Sequence, residues 1–264
     1  MWWGVAVTPD AFFVPRGGDV YEATAHTAGP WSAEAQHGGP PSALLGHLAV
    51  RCAPRPDTVV ARVTVEILGP VPVGELTGTA AVTRPGRSVE LVESALAAGG
   101  REVARARVWR VLASAAETVG PAPSAPPRPE EAAGFAGTPW DCGYIAAVEW
   151  RFGRGGFTRP GPAAVWTRLR VPLLPDEPDT PLTRVLAVAD SGNGVSAHHD
   201  LRRWHFINPE LTVHLHRAAR GEWVCLDAQT AVSTGGAGLA SSVLSDDEGP
   251  LGVGAQALLV APRR

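Results

Sequence analysis

The feature that most constrains this chain is a strand pattern that occurs twice at a nearly fixed spacing. Arg62-Val63-Thr64-Val65-Glu66 matches Glu210-Leu211-Thr212-Val213-His214, with the central threonines 148 positions apart (212 − 64). Ser94-Ala95-Leu96 resembles Ser242-Val243-Leu244 at the same spacing (242 − 94), and Gly74-Glu75-Leu76 matches Gly221-Glu222-Trp223 at 147 (221 − 74). A constant strand offset within one repeated order of elements points to duplication of a single supersecondary unit.

The two copies are separated by Ala113 to Pro139, which contains Gly120-Pro121-Ala122-Pro123-Ser124-Ala125-Pro126-Pro127-Arg128-Pro129. Proline donates no hydrogen bond and fixes φ, so this stretch neither pairs in a sheet nor sustains a helix. It reads as a semi-rigid connection.

Before it, Pro40 and Pro41 suit a first helical turn, Leu44, Leu45, Leu48 and Cys52 share one face, and Pro54 marks the stop. Strands are predicted over Val59–Leu68, Glu75–Thr83, Ser88–Ala97 and Glu102–Leu112. After the connection, Tyr144–Phe152 and Ala163–Val171 read as strands, and Thr180-Pro181-Leu182 opens a helix with Thr180 as its cap. Strands follow over Glu210–His216, Glu222–Val232, Gly238–Ser245 and Leu251–Val260. The helix starts are closer together than the strands (181 − 40 = 141), so the second copy carries a longer loop after its helix. Each copy is an α+β unit in which antiparallel strands wrap a helix. Two such units side by side would share a continuous sheet with both helices against it, and the seam would be the natural ligand site.

A formal net charge of −3 gives no electrostatic reason to expect nucleic acid or a membrane surface as partner. All the basic residues counted with arginine are arginine, and the Ala, Gly, Pro and Arg usage is that of a GC-rich genome. No single arginine is therefore read as an anion ligand. Cys52, Cys142 and Cys225 form no CxxC pair and read as three thiols in a reducing compartment. Met1-Trp2-Trp3-Gly4-Val5-Ala6-Val7 has no basic leader and is soon interrupted by Pro9-Asp10, which argues against a signal peptide or a span. A cytoplasmic protein is expected.

Asp190 is the most informative residue for chemistry. It follows Leu182 by eight positions and Leu186 by four, which places a carboxylate on the apolar face of the second helix, where an unpaired charge is expensive. Position alone leaves open that Asp190 merely ends the helix before Ser191-Gly192-Asn193-Gly194. Gln256, amid apolar residues of the last strand, needs partners if it faces inward and none if alternation turns it to solvent. By the 148 offset its counterpart is Val108. Asn208-Pro209 fits a turn. His37-Gly38-Gly39 is either a flexible lead-in or a source of free N–H groups for a developing oxyanion. His198-His199-Asp200 lacks a further ligand cluster, and the D-x-x-x-x-H spacing of Asp200 and His205 lacks the surroundings of a hydratase. No GxSxG, GxGxxG or P-loop is present.

Taken in order, these segments resemble the acyl-CoA thioesterase family of double hotdog fold related to bacterial thioesterase II. Leu186-Ala187-Val188-Ala189-Asp190 resembles the family's helix ending in its catalytic Asp, and His37-Gly38-Gly39 its Gly-Gly helix start. Asn208-Pro209-Glu210-Leu211-Thr212-Val213-His214-Leu215-His216-Arg217 resembles the family segment ending in His-Arg, and Gln256 falls where the family has its glutamine. The resemblance implies a tandem hotdog with two antiparallel sheets, each wrapped around a central helix: units at 1–112 and 140–264, joined by 113–139. It implies an active site of Asp190, Gln256 and, in the place of the family's Ser or Thr, Asn208. Gly38 or Gly39 would supply the oxyanion N–H. The implied substrate is an acyl-CoA or acyl-carrier thioester, with no metal or other cofactor. A homo-oligomer is open, because the duplication already supplies the pairing that single hotdog chains obtain by dimerising. The competing readings are a non-hydrolytic acyl-thioester binder and a hydratase or dehydratase on the same scaffold.

Overall fold

A computed structural model describes residues 10–115, 125–130, 140–200 and 203–263. Residues 1–9, most of the Pro-rich connection, Leu201, Arg202 and Arg264 lie outside the described residues. In the first half, β1 (Phe13–Gly17) and β2 (Val20–Ala23) precede α1 (Gly39–Arg51). Then come β3 (Thr58–Ile67), β4 (Glu75–Arg84), β5 (Val89–Ala98) and β6 (Arg101–Leu112). The second half opens with a one-turn helix, α2 (Gly143–Ala146), then β7 (Val148–Gly156) and β8 (Arg159–Leu169). It continues with α3 (Pro181–Ala189), a one-turn α4 (Gly192–Val195) and β9 (Trp204–Ile207). It ends with β10 (Glu210–Leu215), β11 (Val224–Val232), β12 (Ala237–Asp246) and β13 (Gly249–Pro262).

The strands form one 13-stranded antiparallel sheet, ordered β1-β2-β4-β5-β6-β3-β10-β13-β12-β11-β8-β7 with β9 paired to β13. The expectation of two separate sheets is thus corrected, and the continuous-sheet alternative holds. The join is β3 against β10. Left alone, each would present an edge of unpaired N–H and C=O groups; pairing satisfies both. Thr64 lies opposite Thr212, with Val63, Val65, Val213 and Leu211 arranged symmetrically about them. The two threonine hydroxyls are 3.3 Å apart, so the repeated residues mark a local two-fold axis. The duplication persists in the pairing registers. Ala80 opposes Ser94 as Ala228 opposes Ser242, and Val92 opposes Val108 as Ala240 opposes Gln256.

Both long helices pack on one face of this sheet and cross each other directly. α1 begins with Pro40 and Pro41 and buries Leu44, Leu45 and Leu48. At α3 the Thr180 hydroxyl accepts from the Thr183 N–H at 3.2 Å, satisfying one of the N–H groups that a helix start leaves unpaired. The crossing is close because glycines form it. A Cβ on Gly39 would lie 2.1 Å from the Ala187 carbonyl oxygen, and one on Gly46 would lie 2.4 Å from Leu186 Cδ1.

Several elements differ from the sequence reading. Tyr144 and Ile145 belong to α2, and β7 starts only at Val148. The short strands β1, β2 and β9 carry too few residues for alternation to register, and Pro15 interrupts β1. The longer passage after the second helix consists of α4 and β9. Cys52, Cys142 and Cys225 are free thiols, and no described helix is long and apolar enough to cross a membrane.

Arg217, the end of the His216-Arg217 segment, clamps the β12–β13 turn. Its guanidinium donates to both oxygens of Asp246 at 2.6 Å, and the N–H groups of Arg220 and Glu248 donate to the same carboxylate. Burial alone would raise the Asp246 pKa; Arg217 and the two N–H donors outweigh it, and the carboxyl is held below its ordinary 3.8. A depressed folded-state pKa contributes stability that is present above the ordinary value and is lost as pH falls through the folded one. Asp246→Asn should therefore destabilise the protein at neutral pH and flatten its acid unfolding below about pH 4, as read from denaturation midpoints across pH.

Candidate active site

Asp190 caps the C-terminal end of α3, and its residue is only 4% exposed. The helix does not fray there. The Ser191 N–H bonds the Val188 carbonyl and α4 continues the turn, so the carboxylate is driven inward rather than toward solvent. Its Oδ1 accepts from Asn208 Nδ2 at 2.7 Å and from Gln256 Nε2 at 3.1 Å. Three residues far apart in sequence thus converge on one carboxylate oxygen.

The sheet explains the convergence. Gln256 stands in the middle of β13, on the helix-bearing face, and is 2% exposed. Its Nε2 also donates to the Asp190 backbone carbonyl at 2.9 Å, and its Oε1 accepts from the Asn193 N–H at 3.0 Å. Every polar atom of the amide has a partner, so burial costs little and the amide cannot rotate freely. Val108, in the equivalent register of β6, is fully buried in the main hydrophobic core, which spans both halves. Only the second copy has an acid to serve. Asn208, between β9 and β10, also donates to the Glu210 carbonyl at 3.3 Å.

The other carboxylate oxygen looks across the seam to the first half. Gly38, the N-cap of α1, faces it so closely that a Cβ there would lie 2.6 Å from Asp190 Oδ2. Gly38→Ala should push the carboxylate off Asn208 and Gln256 and lower activity on the order of 10²-fold, with little change in the thermal midpoint. Paired turnover and melting measurements separate the two effects. The two glycines are not equivalent as donors. The Gly39 N–H is engaged by His37 Nδ1 at 3.0 Å, whereas the Gly38 N–H has no partner among the described residues.

His37 itself belongs to the site, although its sequence position marked only the glycines. Its Nδ1 lies 3.5 Å from Asp190 Oδ2, and its ring stacks on Tyr144 with centroids 3.7 Å apart. Burial lowers the His37 pKa against the opposing pull of Asp190, so the ring is neutral and Nδ1 is free to accept from Gly39. Tyr144 donates to the Ala187 carbonyl or shares its proton with Ser191, at 2.9 and 2.8 Å. Burial pushes its phenol above the ordinary value and keeps it neutral. Neither role carries a periodic signal. Both residues sit in irregular segments whose side chains are placed by the tertiary fold.

Other residues singled out from the sequence lie elsewhere. His205 pairs with Ala261 on β13, five residues from Gln256 or about 17 Å along the strand. His199 packs edge-on against Trp204, and Asp200 accepts the Arg203 and Trp204 N–H groups through its backbone carbonyl.

Comparison with known proteins agrees with this organisation. Residues 27–111 match the family model described as acyl-CoA thioesterase N-terminal domain, and residues 117–260 match acyl-CoA thioesterase C-terminal domain. No curated protein matches the chain significantly. Among solved structures, a hot dog fold protein of unknown function from Alicyclobacillus acidocaldarius superposes with a TM-score of 0.71 at 17% identity, covering 97% of both chains. Acyl-CoA thioesterase II TesB2 from Mycobacterium marinum superposes with a TM-score of 0.67 at 16% identity, covering 93% of this chain and 92% of that one. The tesB protein of Mycobacterium avium subs paratuberculosis gives 0.65 at 18%, covering 95% and 96%. At such identities the superpositions speak for the fold alone, here one that contains a hotdog. With matched segments spanning nearly the whole length in the same order, this chain belongs to the acyl-CoA thioesterase family.

Proposed function

We propose that the protein hydrolyses acyl thioesters, releasing a free acid and a thiol, with Asp190 as the general base. The observation that carries this reading is the asymmetry of the Asp190 carboxylate. Oδ1 is held by two amide donors, while Oδ2 faces the glycine start of the opposing helix. Two neutral donors fix the carboxylate without neutralising it, which suits a base.

In this mechanism Asp190 Oδ2 takes a proton from a water as its oxygen attacks the thioester carbonyl carbon. The carbonyl oxygen becomes an oxyanion, and the Gly38 N–H donates to it. Collapse breaks the C–S bond, and the leaving thiolate takes the proton back from Asp190. Asn208 holds the base through an amide where the resemblance places a hydroxyl; its two N–H groups reach Asp190 and Glu210, so its role is positioning. The chain is read as a tandem hotdog with units at 1–112 and 140–264 and a connection at 113–139. It would act in the cytoplasm on coenzyme A or carrier-protein thioesters.

The test is thiol release from acyl-CoA substrates of graded chain length. Turnover on at least one length class is expected. Binding of acyl-CoA without thiol release from any of them would favour the non-hydrolytic reading. Hydration of an enoyl-CoA without thiol release, lost in His205→Ala and retained in Asp190→Asn, would favour the hydratase reading.

A further inference from the structure

The passage after α3 is longer than its counterpart after α1, and it builds a cleft beside the acid. Asp190 and Ser191 keep right-handed helical backbone angles (φ −66° and −76°), so the chain turns directly from the acid into α4. Gly194 therefore follows Asp190 by one turn, and positions four apart on a helix lie on one face, roughly 5–6 Å from each other. Across from Gly194 stands the turn between β7 and β8. Gly194 and Val195 on one side, with Trp140 and Phe157 on the other, line a cleft of about 310 Å³. The Gly161 N–H donates to the Ala197 carbonyl at 3.0 Å and ties the two walls together. The charged lining residues, Arg159 and Asp200, are exposed and form the rim.

Two routes lead from the surroundings of Asp190 to this cleft. One is the backbone: the Val195 N–H donates to the Ser191 carbonyl at 3.0 Å. The other is a row of rings. Tyr144, whose hydroxyl shares a hydrogen bond with Ser191, meets Trp150 edge-on with centroids 6.0 Å apart. Trp150 meets Phe157 at 5.1 Å, and Phe157 meets Trp140 at 5.6 Å.

We propose that this cleft receives the acyl group of the substrate, and that the group it fits is compact and aromatic, such as a phenyl ring two carbons from the thioester carbonyl. The inference takes its ligand from the hydrolase reading above. Three observations carry it. The volume lies at the lower end of the about 300–1,000 Å³ typical of ligand pockets, and is twice the roughly 150 Å³ cavity that holds benzene. The Trp140 and Phe157 planes are 84° apart, so a ring lying parallel to one meets the other edge-on. Offset stacking and edge-to-face contact are the arrangements that aromatic pairs prefer. Gly194, finally, leaves room where a side chain would intrude. A Cβ on Gly38, Gly39 or Gly46 would collide with a neighbour, whereas one on Gly194 would meet nothing within 4 Å. One helical turn from the acid is also the reach of a short two-carbon linker.

The test compares thiol release from 3-phenylpropanoyl-CoA, hexanoyl-CoA of similar reach, and acetyl-CoA. Wild-type kcat/KM should favour the aryl over the hexanoyl substrate by about 2–10-fold, the gain that ring contacts add beyond area burial. Gly194 lies outside the positive-φ region, so Gly194→Leu fills the cleft without backbone strain. It should lower the ratio of kcat/KM for 3-phenylpropanoyl-CoA to that for acetyl-CoA by about tenfold or more. Trp140→Leu keeps the wall apolar but removes a ring, and should bring the aryl-to-hexanoyl ratio close to one. Calorimetric binding of the same thioesters to Asp190→Asn and Asp190→Asn/Gly194→Leu reads the cleft without turnover. Binding that follows the Gly194 substitution, with no thiol release from any substrate by the wild type, would sink the hydrolase reading and uphold the cleft. Hydrolysis whose substrate ratios neither variant changes would overturn the cleft and uphold the hydrolase.

Discussion

Asp190→Asn is expected to lower the turnover number for thioester hydrolysis by about 10²–10⁴-fold, the range that a positioned general base contributes. The substitution is close to isosteric. The side-chain oxygen of an asparagine can still accept from Asn208 and Gln256, so the local hydrogen bonds survive while the base is lost. Melting temperature should therefore move little, and binding of a non-hydrolysed thioester analogue should persist. A variant that retains wild-type turnover would remove Asp190 from the chemistry. Equal losses of stability and activity would instead make it a structural acid, the reading that its position in sequence first left open.

The second large effect concerns stability and lies in the first half. Glu90 on β5 and Arg110 on β6 face each other beneath the end of α1, with side chains 8% and 3% exposed. Arg110 also donates to the Cys52 and Ala53 carbonyls, satisfying C=O groups that the end of α1 leaves open. Glu90→Ala strands a buried guanidinium without its counter-charge. The expected cost is about 3–5 kcal/mol, which corresponds to a fall in Tm on the order of 10 °C. The second half shows why the whole pair is less critical than either partner. There Gly238 opposes Leu258 in the same register, and Leu258 packs with Phe206, Ala240 and Val260. Glu90→Gly/Arg110→Leu, which copies that arrangement, should lose less than Glu90→Ala, because no charge is left unpaired. Chemical denaturation of the two variants decides the order.

Both predictions trace to the duplication, which marks where the copies diverged for function. Gln256 against Val108 separates a half that holds an acid from one that does not. The Glu90–Arg110 pair against Gly238 and Leu258 separates a half whose helix end lies on the sheet from one in which Phe206 of β9 helps fill that place. Comparison between halves thus assigns roles that single residues do not announce.

The repeat, the long strands, the two helices and the candidate acid were legible in the amino-acid sequence because each rests on local periodicity. Alternation of Val63, Val65, Val213 and Leu211 has a period of two, and the placement of Asp190 after Leu182 and Leu186 follows the helical period. Tertiary structure decided the rest. Whether Gln256 faces inward depends on which side of β13 the helices occupy, and alternation alone cannot name that side. The fusion of the halves into one sheet depends on two edge strands meeting at Thr64 and Thr212. The approach of Gly38 and His37 to Asp190 requires two helices from different halves to cross at their glycines. Local sequence encodes which faces are apolar, whereas contacts across 148 residues are selected only when those faces are buried together.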